Sequence, residues 1–288
     1  MIIVTGATGQ LGRMVIEQLI GRVPASEIGV SVRDPRKADD LNTLGVRVRH
    51  GDFTDAESLR QAFEGASQVM LISSNARASG GDPLAQHRTA IDAACAAGAR
   101  RIVYTSHMAA SHTSGFPPAL DHAATEDMLR DCGLAWTALR HGFYAQSGFM
   151  MMGDAFSKGV LDAPQDGKLS WTAHADLAEA DAIILADEGR FDGPTPPLTG
   201  SQALDFADLA RIASELIGTP VRRELLTDDQ FRDKMSARGK PAGAAKFALG
   251  FYLAARRGEF SNVDPTLAAL LGRSPISMRD VIAEKIGS

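Results

Sequence analysis

Three glycines at the head of the chain constrain its fold most. Ile2-Ile3-Val4-Thr5 is a short apolar, β-branched run and reads as a strand. Thr5-Gly6-Ala7-Thr8-Gly9-Gln10-Leu11-Gly12 follows at once. Leu11, Met14, Val15 and Leu19 then recur at helical spacing over Gln10 to Ile20. A glycine-rich turn between a strand and a helix has a specific physical use. Gly6 permits a tight exit from the strand, Gly9 lets backbone approach a pyrophosphate, and Gly12 lets the helix lie close to the sheet. The unsatisfied N–H groups of the first helical turn then face the anion, and Thr8, Gln10 and Leu11 complete the cradle. The spacing is Gly-x-x-Gly-x-x-Gly, not the Gly-x-Gly-x-x-Gly of ordinary dehydrogenases. Without a ligand, three such glycines only weaken the helix.

The first half repeats this alternation. Strands are expected at Ile28 to Arg33, Val46 to His50, Gln68 to Ser73, Arg101 to Ser106 and Ala135 to Arg140. Helices are expected at Ala56 to Phe63, Pro83 to Ala97 and Ala119 to Asp131. Short connections between such elements imply parallel strands with right-handed crossovers. Runs such as Ile102-Val103-Tyr104 suit a sheet covered on both faces. After about residue 145 the rhythm becomes mainly helical, with Asp176 to Asp187 and Phe206 to Ile217 as amphipathic helices and Ala242 to Arg257 and Ser277 to Ile286 as further helices. Phe149 and Met150-Met151-Met152 are expected to be buried or to line a cleft. The expected class is therefore α/β. A Rossmann-type doubly wound sheet spans 1–145 and a smaller, mostly helical substrate-binding region spans 146–288, with room for the chain to cross back between the two.

The carboxyl edge of such a sheet is where ligands bind. At the end of the second strand an acidic residue selects NAD and an arginine accommodates the 2′-phosphate of NADP. Here Arg33 comes first, with Arg36 and Lys37 behind it, and Asp34 before Pro35 reads as a helix cap. Arg33 and Lys37 thus point to NADP(H), the alternative being a solvated charge cluster. Asp52 and Phe53 follow the third strand, where Asp52 either accepts from the adenine amino group or makes a plain turn. Ser73 and Ser74 end the fourth strand, and Thr105, Ser106 and His107 the fifth.

Other classes are disfavoured. Lys and Arg number 30 against 35 Asp and Glu, a formal charge of −5, so no basic face for nucleic acid is expected. Cys95 and Cys132 make neither a disulfide framework nor a zinc site and read as buried thiols in a reducing compartment. No metal-ligand spacing and no Gly-x-Ser-x-Gly elbow occurs. The N-terminal apolar run is much shorter than the roughly 18 residues of a span and lacks a basic leader. A cytoplasmic protein without membrane partner is expected, a monomer or homodimer.

Taken together, Val4 to Gly12, Val32 to Ala38, His50-Gly51-Asp52-Phe53, His122-Ala123-Ala124-Thr125-Glu126, Thr137 to Tyr144, Leu198-Thr199-Gly200 and Leu270 to Arg273 resemble the NmrA-like group of atypical short-chain dehydrogenases. Within it the chain looks most similar to bacterial NAD(P)H:quinone oxidoreductases and triphenylmethane dye reductases. The resemblance implies a Rossmann domain holding NADPH and a smaller domain closing over it. Ordinary members of the superfamily use a Tyr-x-x-x-Lys pair, which occurs nowhere here; His122-x-x-x-Glu126 stands in its place. That argues against alcohol dehydrogenation through a tyrosinate and against the ordinary sugar-epimerase mechanism. Two functions remain: NADPH-dependent hydride transfer to a small quinone- or dye-like acceptor, or NADP binding without turnover in a redox-sensing regulator.

His122 and Tyr144 are the catalytic candidates, His122 through an imidazole that titrates near neutrality. Tyr144 is also a candidate for the cofactor and the acceptor. His107, Phe149 and Trp171 are the remaining acceptor candidates, the last two as an apolar wall. For each histidine and aromatic, plain packing is the alternative.

Overall fold

The computed structural model describes residues 1–287. The chain forms two compact units. The first comprises Met1–His107, Asp121–Arg140 and His174–Pro196; the second comprises Met108–Leu120, His141–Ala173 and the chain from Pro197 on.

The first unit is built on strands β1 (Ile2–Thr5), β2 (Ile28–Val32), β3 (Arg47–His50), β4 (Gln68–Leu71), β5 (Arg101–His107) and β6 (Ala135–His141). Helices α1 (Gln10–Ile20), α2 (Asp39–Thr43), α3 (Ala56–Ala62), α4 (Pro83–Ala96) and α5 (Pro117–Asp131) run between them. The parallel sheet has the order β6-β5-β4-β1-β2-β3, with the two-residue strand Gly193–Pro194 added beside β6. The order reverses between β1 and β4, which makes this a doubly wound fold.

Both faces are covered. Ile3, Val69, Leu71, Ile102 and Tyr104 alternate along their strands into one cluster with Leu59 and Phe63 of α3 and with Ile91 and Ala94 of α4. α1 buries Leu11, Val15, Ile16 and Leu19 and packs against the helix His174–Ala186. Each such aliphatic side chain contributes about 1.5–3 kcal/mol by leaving water.

β4 ends at Leu71, two residues earlier than the sequence predicts. The reason is a set of three side chains that capture the next three backbone N–H groups. Ile72 donates to Thr5 Oγ1 at 2.9 Å, Ser73 to Thr105 Oγ1 at 2.8 Å, and Ser74 to His87 Nε2 at 2.8 Å. β1, β5 and α4 thereby fix where β4 stops. The hydrogen bonds also fix the His87 tautomer. Thr125 Oγ1 donates to the Asp121 carbonyl, so it accepts from Nδ1–H, and Nε2 keeps the lone pair that Ser74 needs.

In the second unit Phe143–Tyr144 pairs in parallel with Leu169–Thr172, which pairs antiparallel with Ala203–Leu204. Trp171, Phe206, Phe251, Tyr252 and Phe260 form the aromatic part of its core. Two features have weak sequence signals. Val160–Pro164 and Arg222–Leu226 pair as a two-stranded parallel sheet, and Asp228–Ala237 is a helix with no buried residue. That helix lacks an apolar stripe; its readable mark is the capping box of Thr227 and Gln230. Met150 is 77% exposed and Met152 is 2% exposed, because the helix Ala145–Met152 turns them to different faces; the expectation that all three methionines are buried or line a cleft is corrected accordingly. Cys95 and Cys132 are free and half-buried rather than buried. No helix among the described residues is long and apolar enough to cross a membrane.

The His87 bond has a pH consequence. Burial pushes this imidazole down from 6.5 to about 4. Between those values the unfolded chain takes up a proton that the folded chain refuses. Stability contributed by the neutral ring is therefore complete above about pH 6.5 and lost progressively as pH falls toward 4. At pH 4.5 the expected loss from this group is about 2.5 kcal/mol. Denaturant unfolding at pH 7.5 and 4.5 should show the unmutated protein losing about that much more than His87→Gln, whose amide oxygen still accepts from Ser74. Equal losses would mean that His87 takes up its proton as readily in the fold as in the unfolded chain.

Candidate functional site

The glycine loop is shaped by its own backbone. Gly6 has φ +62°, a left-handed conformation that L side chains rarely adopt. The N–H of Gly9 donates to the Gly6 carbonyl at 2.9 Å, which closes the turn. A Cβ on Gly12 would lie 2.5 Å from the Gly6 oxygen and 2.9 Å from Ile72 Cδ1. Gly12 thus serves the loop itself and the end of β4 as well as helix-to-sheet packing. A Cβ on Gly9 would meet only the Gly6 oxygen, at 3.3 Å, within the protein. Its exposed side is therefore clear for a ligand. Gly6, Thr8, Gly9 and Gln10 are exposed, whereas Leu11 and Gly12 are buried. No side chain caps α1, and no acidic residue lies in its first turn. The positive end of the helix faces outward with its amides unspent.

Thr5 of β1 registers with Ser31 of β2, so Arg33 leaves β2 at the same edge. The basic cluster divides by partner. Asp34 caps the turn Pro35–Ala38 and binds Arg36 through two hydrogen bonds of 2.9 and 3.1 Å. Arg36 is thereby occupied. The side chains of Arg33 and Lys37 are exposed and make no hydrogen bond or ion pair among the described residues.

Asp52 is half-buried, and its Oδ1 accepts from the N–H and hydroxyl of Thr54 at 2.8 and 2.7 Å. Those bonds, the backbone one foremost, hold its carboxyl below the usual range, with the Arg33 charge contributing. Asp52 thus makes the plain turn and leaves Oδ2 as its outward acceptor. Phe53 packs partly into the core beneath.

At the β4 and β5 ends the hydroxyls look inward. Thr105 holds Ser73, and Ser74 Oγ donates to Gln86. Ser106 donates to Glu126 Oε1 at 2.6 Å. Arg140 reaches the same buried carboxylate with Nε at 3.0 Å and Nη2 at 2.6 Å. Glu126 is therefore consumed by a bidentate pair and a hydroxyl.

His122 sits one turn earlier on α5. Its Nδ1 is 2.8 Å from the hydroxyl of Tyr104, a fully buried phenol that sequence reasoning did not single out. The His107 ring stacks on the His122 ring at 5.9 Å. A buried phenol, two half-buried imidazoles and the buried His87 ring beyond thus adjoin at the end of β5. The strand periodicity of Tyr104 pointed only to core, since a hydrogen bond to a helix 18 residues away leaves no local mark.

The other named residues belong to the second unit. Tyr144 is half-buried, precedes the helix Ala145–Met152, and lies 6.3 Å from the His141 ring. Phe149 is half-buried and stacks on Phe156 at 5.2 Å. Trp171 is 2% exposed, and its indole N–H donates to the Leu204 carbonyl at 2.9 Å. So enclosed a ring offers no wall to a ligand; Trp171 is a core residue.

The pattern of the NAD(P)H-binding family matches residues 6–186. The chain is 35% identical over 284 residues to quinone oxidoreductase 2 of Escherichia coli (strain K12), covering 98% of each. Among solved structures it is similar to the Escherichia coli NADPH-dependent quinone oxidoreductase complexed with NADPH, with a TM-score of 0.92 and 34% identity over 99% of this chain and 100% of that one. It is also similar to the Citrobacter sp. triphenylmethane reductase complexed with NADP(H), with a TM-score of 0.87 and 32% identity over 99% of each. With an open glycine cradle at the reversal point of a doubly wound sheet, and with these matches along its whole length, the chain belongs to the NAD(P)H-binding, NmrA-like family of oxidoreductases.

Proposed function

We propose that this protein is an NADPH-dependent reductase that transfers hydride to a flat, quinone- or dye-like acceptor. The observation that carries the reading is the commitment of Glu126 to Arg140 and Ser106, at the place where a phenol-activating lysine would stand. A site without a Tyr-x-x-x-Lys pair suits acceptors that delocalise the arriving electrons and take their proton afterwards from water. The names of the Escherichia coli and Citrobacter relatives, a quinone oxidoreductase and a triphenylmethane reductase, support it.

The unspent amides of α1 and the clear side of Gly9 fit a pyrophosphate. The unpaired Arg33, with Lys37 beside it, fits a 2′-phosphate. When bound, the nicotinamide supplies the hydride. His122 and Tyr144 act as polar positioning groups for nicotinamide and acceptor, with His122 a secondary proton source. We place the protein in the cytoplasm, as a monomer or homodimer acting on a small molecule.

NADPH is expected to bind roughly tenfold or more tightly than NADH, the contribution of a charge-assisted pair. Arg33→Ala should erase that preference and leave NADH binding nearly unchanged in equilibrium dialysis. Equal affinities in the unmutated protein would rule out the 2′-phosphate contact. Gly9→Val should abolish NADPH binding with only a small fall in the thermal midpoint, because its backbone is extended and its Cβ meets nothing in the protein but the Gly6 oxygen, at 3.3 Å. Normal binding by that variant would place the phosphates elsewhere.

The reaction class is tested by NADPH oxidation with quinones, dyes and simple ketones. Quinones and dyes should turn over. Ketones should react hardly at all, because a missing acid typically costs roughly 10²–10⁴-fold. His122→Ala and Tyr144→Phe should lower quinone turnover only modestly. Fast ketone reduction that vanishes in either variant would reveal a true proton donor. Tight NADPH binding with no turnover of any acceptor would favour the redox-sensing reading instead.

A further inference from the structure

Immediately past the end of β5, the chain from Met108 to Ser114 lines a cavity of about 400 Å³ in the second unit. That volume lies in the range of small-molecule sites. Its lining has three chemical parts. Met108 and Ala109 give an apolar floor and are themselves nearly buried. Ser111 and Thr113 give hydroxyls, 3.1 Å apart. Arg257 and Glu259 give one charge of each sign.

The two charges are not equally available. Glu259 is turned into the loop. Ser114 donates its hydroxyl to Oε2, and the Gly115 N–H donates to Oε1 at 3.0 Å. Arg257 approaches Glu259 only to 3.9 Å and makes no side-chain hydrogen bond among the described residues. Its backbone N–H closes the C-terminal end of the helix Ala242–Arg256, where the helix dipole favours a cation. The result is a half-exposed guanidinium with its hydrogen-bond donors unspent, on a backbone fixed by the helix end, beside two apolar residues and two hydroxyls. Bidentate donation of that kind matches carboxylate, sulfonate or acidic hydroxyl oxygens on a flat ring.

We propose that this cavity binds a small molecule with an apolar ring and an acidic oxygen substituent, and that Arg257 selects it over its uncharged counterpart.

The test is binding without cofactor. Equilibrium dialysis compares anthraquinone monosulfonate with hydroxymethylanthraquinone, which shares the ring and lacks the charge. The unmutated protein should bind the sulfonate more tightly. Arg257→Met should weaken sulfonate binding about tenfold more than it weakens the uncharged compound, the worth of one charge-assisted contact. Glu259→Gln should shift the sulfonate the other way, because it removes the opposing charge and leaves an amide oxygen to accept from Gly115. Equal weakening of both compounds by Arg257→Met would overturn the proposal, as would sulfonate binding no tighter than that of the uncharged ring.

Discussion

The carboxyl edge of the sheet depends on three consecutive amides. Ile72, Ser73 and Ser74 would continue β4 as ladder donors if nothing intercepted them. Thr5, Thr105 and His87 do intercept them, one from each neighbouring strand and one from α4. Each bond is worth about 1 kcal/mol net, but an unmet buried amide costs more than that. β4 therefore stops at Leu71, and its chain turns over the edge at a fixed point. Ile72 in turn bounds Gly12: its Cδ1 would lie 2.9 Å from an added Cβ there. The glycine cradle is thus shaped by β4 as much as by its own sequence. His87 serves in this arrangement only as a neutral acceptor, which its buried position enforces.

How much was legible in the sequence follows from the range of the interactions. The strand, turn and helix over Ile2 to Ile20 are local, with glycine chemistry and side-chain period agreeing, and residues 2–20 fold as read. Asp34 before Pro35 is likewise a local cap and was readable. The division between Arg36 and Arg33 was not, because it turns on which guanidinium Asp34 captures. Glu126, Ser106 and Arg140 come from α5, β5 and β6, and no spacing rule joins them. Tyr104 looked like one more buried strand residue, and only its hydroxyl, placed against His122, sets it apart. The short parallel pair Val160–Pro164 and Arg222–Leu226 was hidden for the same reason. Its partners are some sixty residues apart, and Arg222 to Glu224 carry charge where a strand would be expected to be apolar.

The ion pairs of the first unit divide into those that shape the site and those that decorate the surface. Arg60 with Glu57 and Arg130 with Asp127 are exposed pairs within single helices, of the kind that adds little to stability. Glu126 differs because its carboxylate is buried and every close partner is a donor. Replacing it would strand the Arg140 guanidinium and the Ser106 hydroxyl together. Such a pair is weak evidence for stability and good evidence of a fixed geometry. It ties the ends of β5 and β6 to α5, the helix that carries His122.

That tie bears on what chemistry the edge can host. In a Tyr-x-x-x-Lys arrangement the ammonium stabilises phenolate and so makes the phenol a competent acid. Here the helix presents an imidazole, and the position one turn on presents a carboxylate already neutralised by arginine. The one phenol nearby, Tyr104, is fully buried and spends a hydrogen bond on His122. An imidazole held by a phenol keeps one nitrogen committed to the interior, and its ring is held in one orientation. On the hydride-transfer reading proposed above, such an edge leaves the burden of accepting negative charge to the acceptor itself.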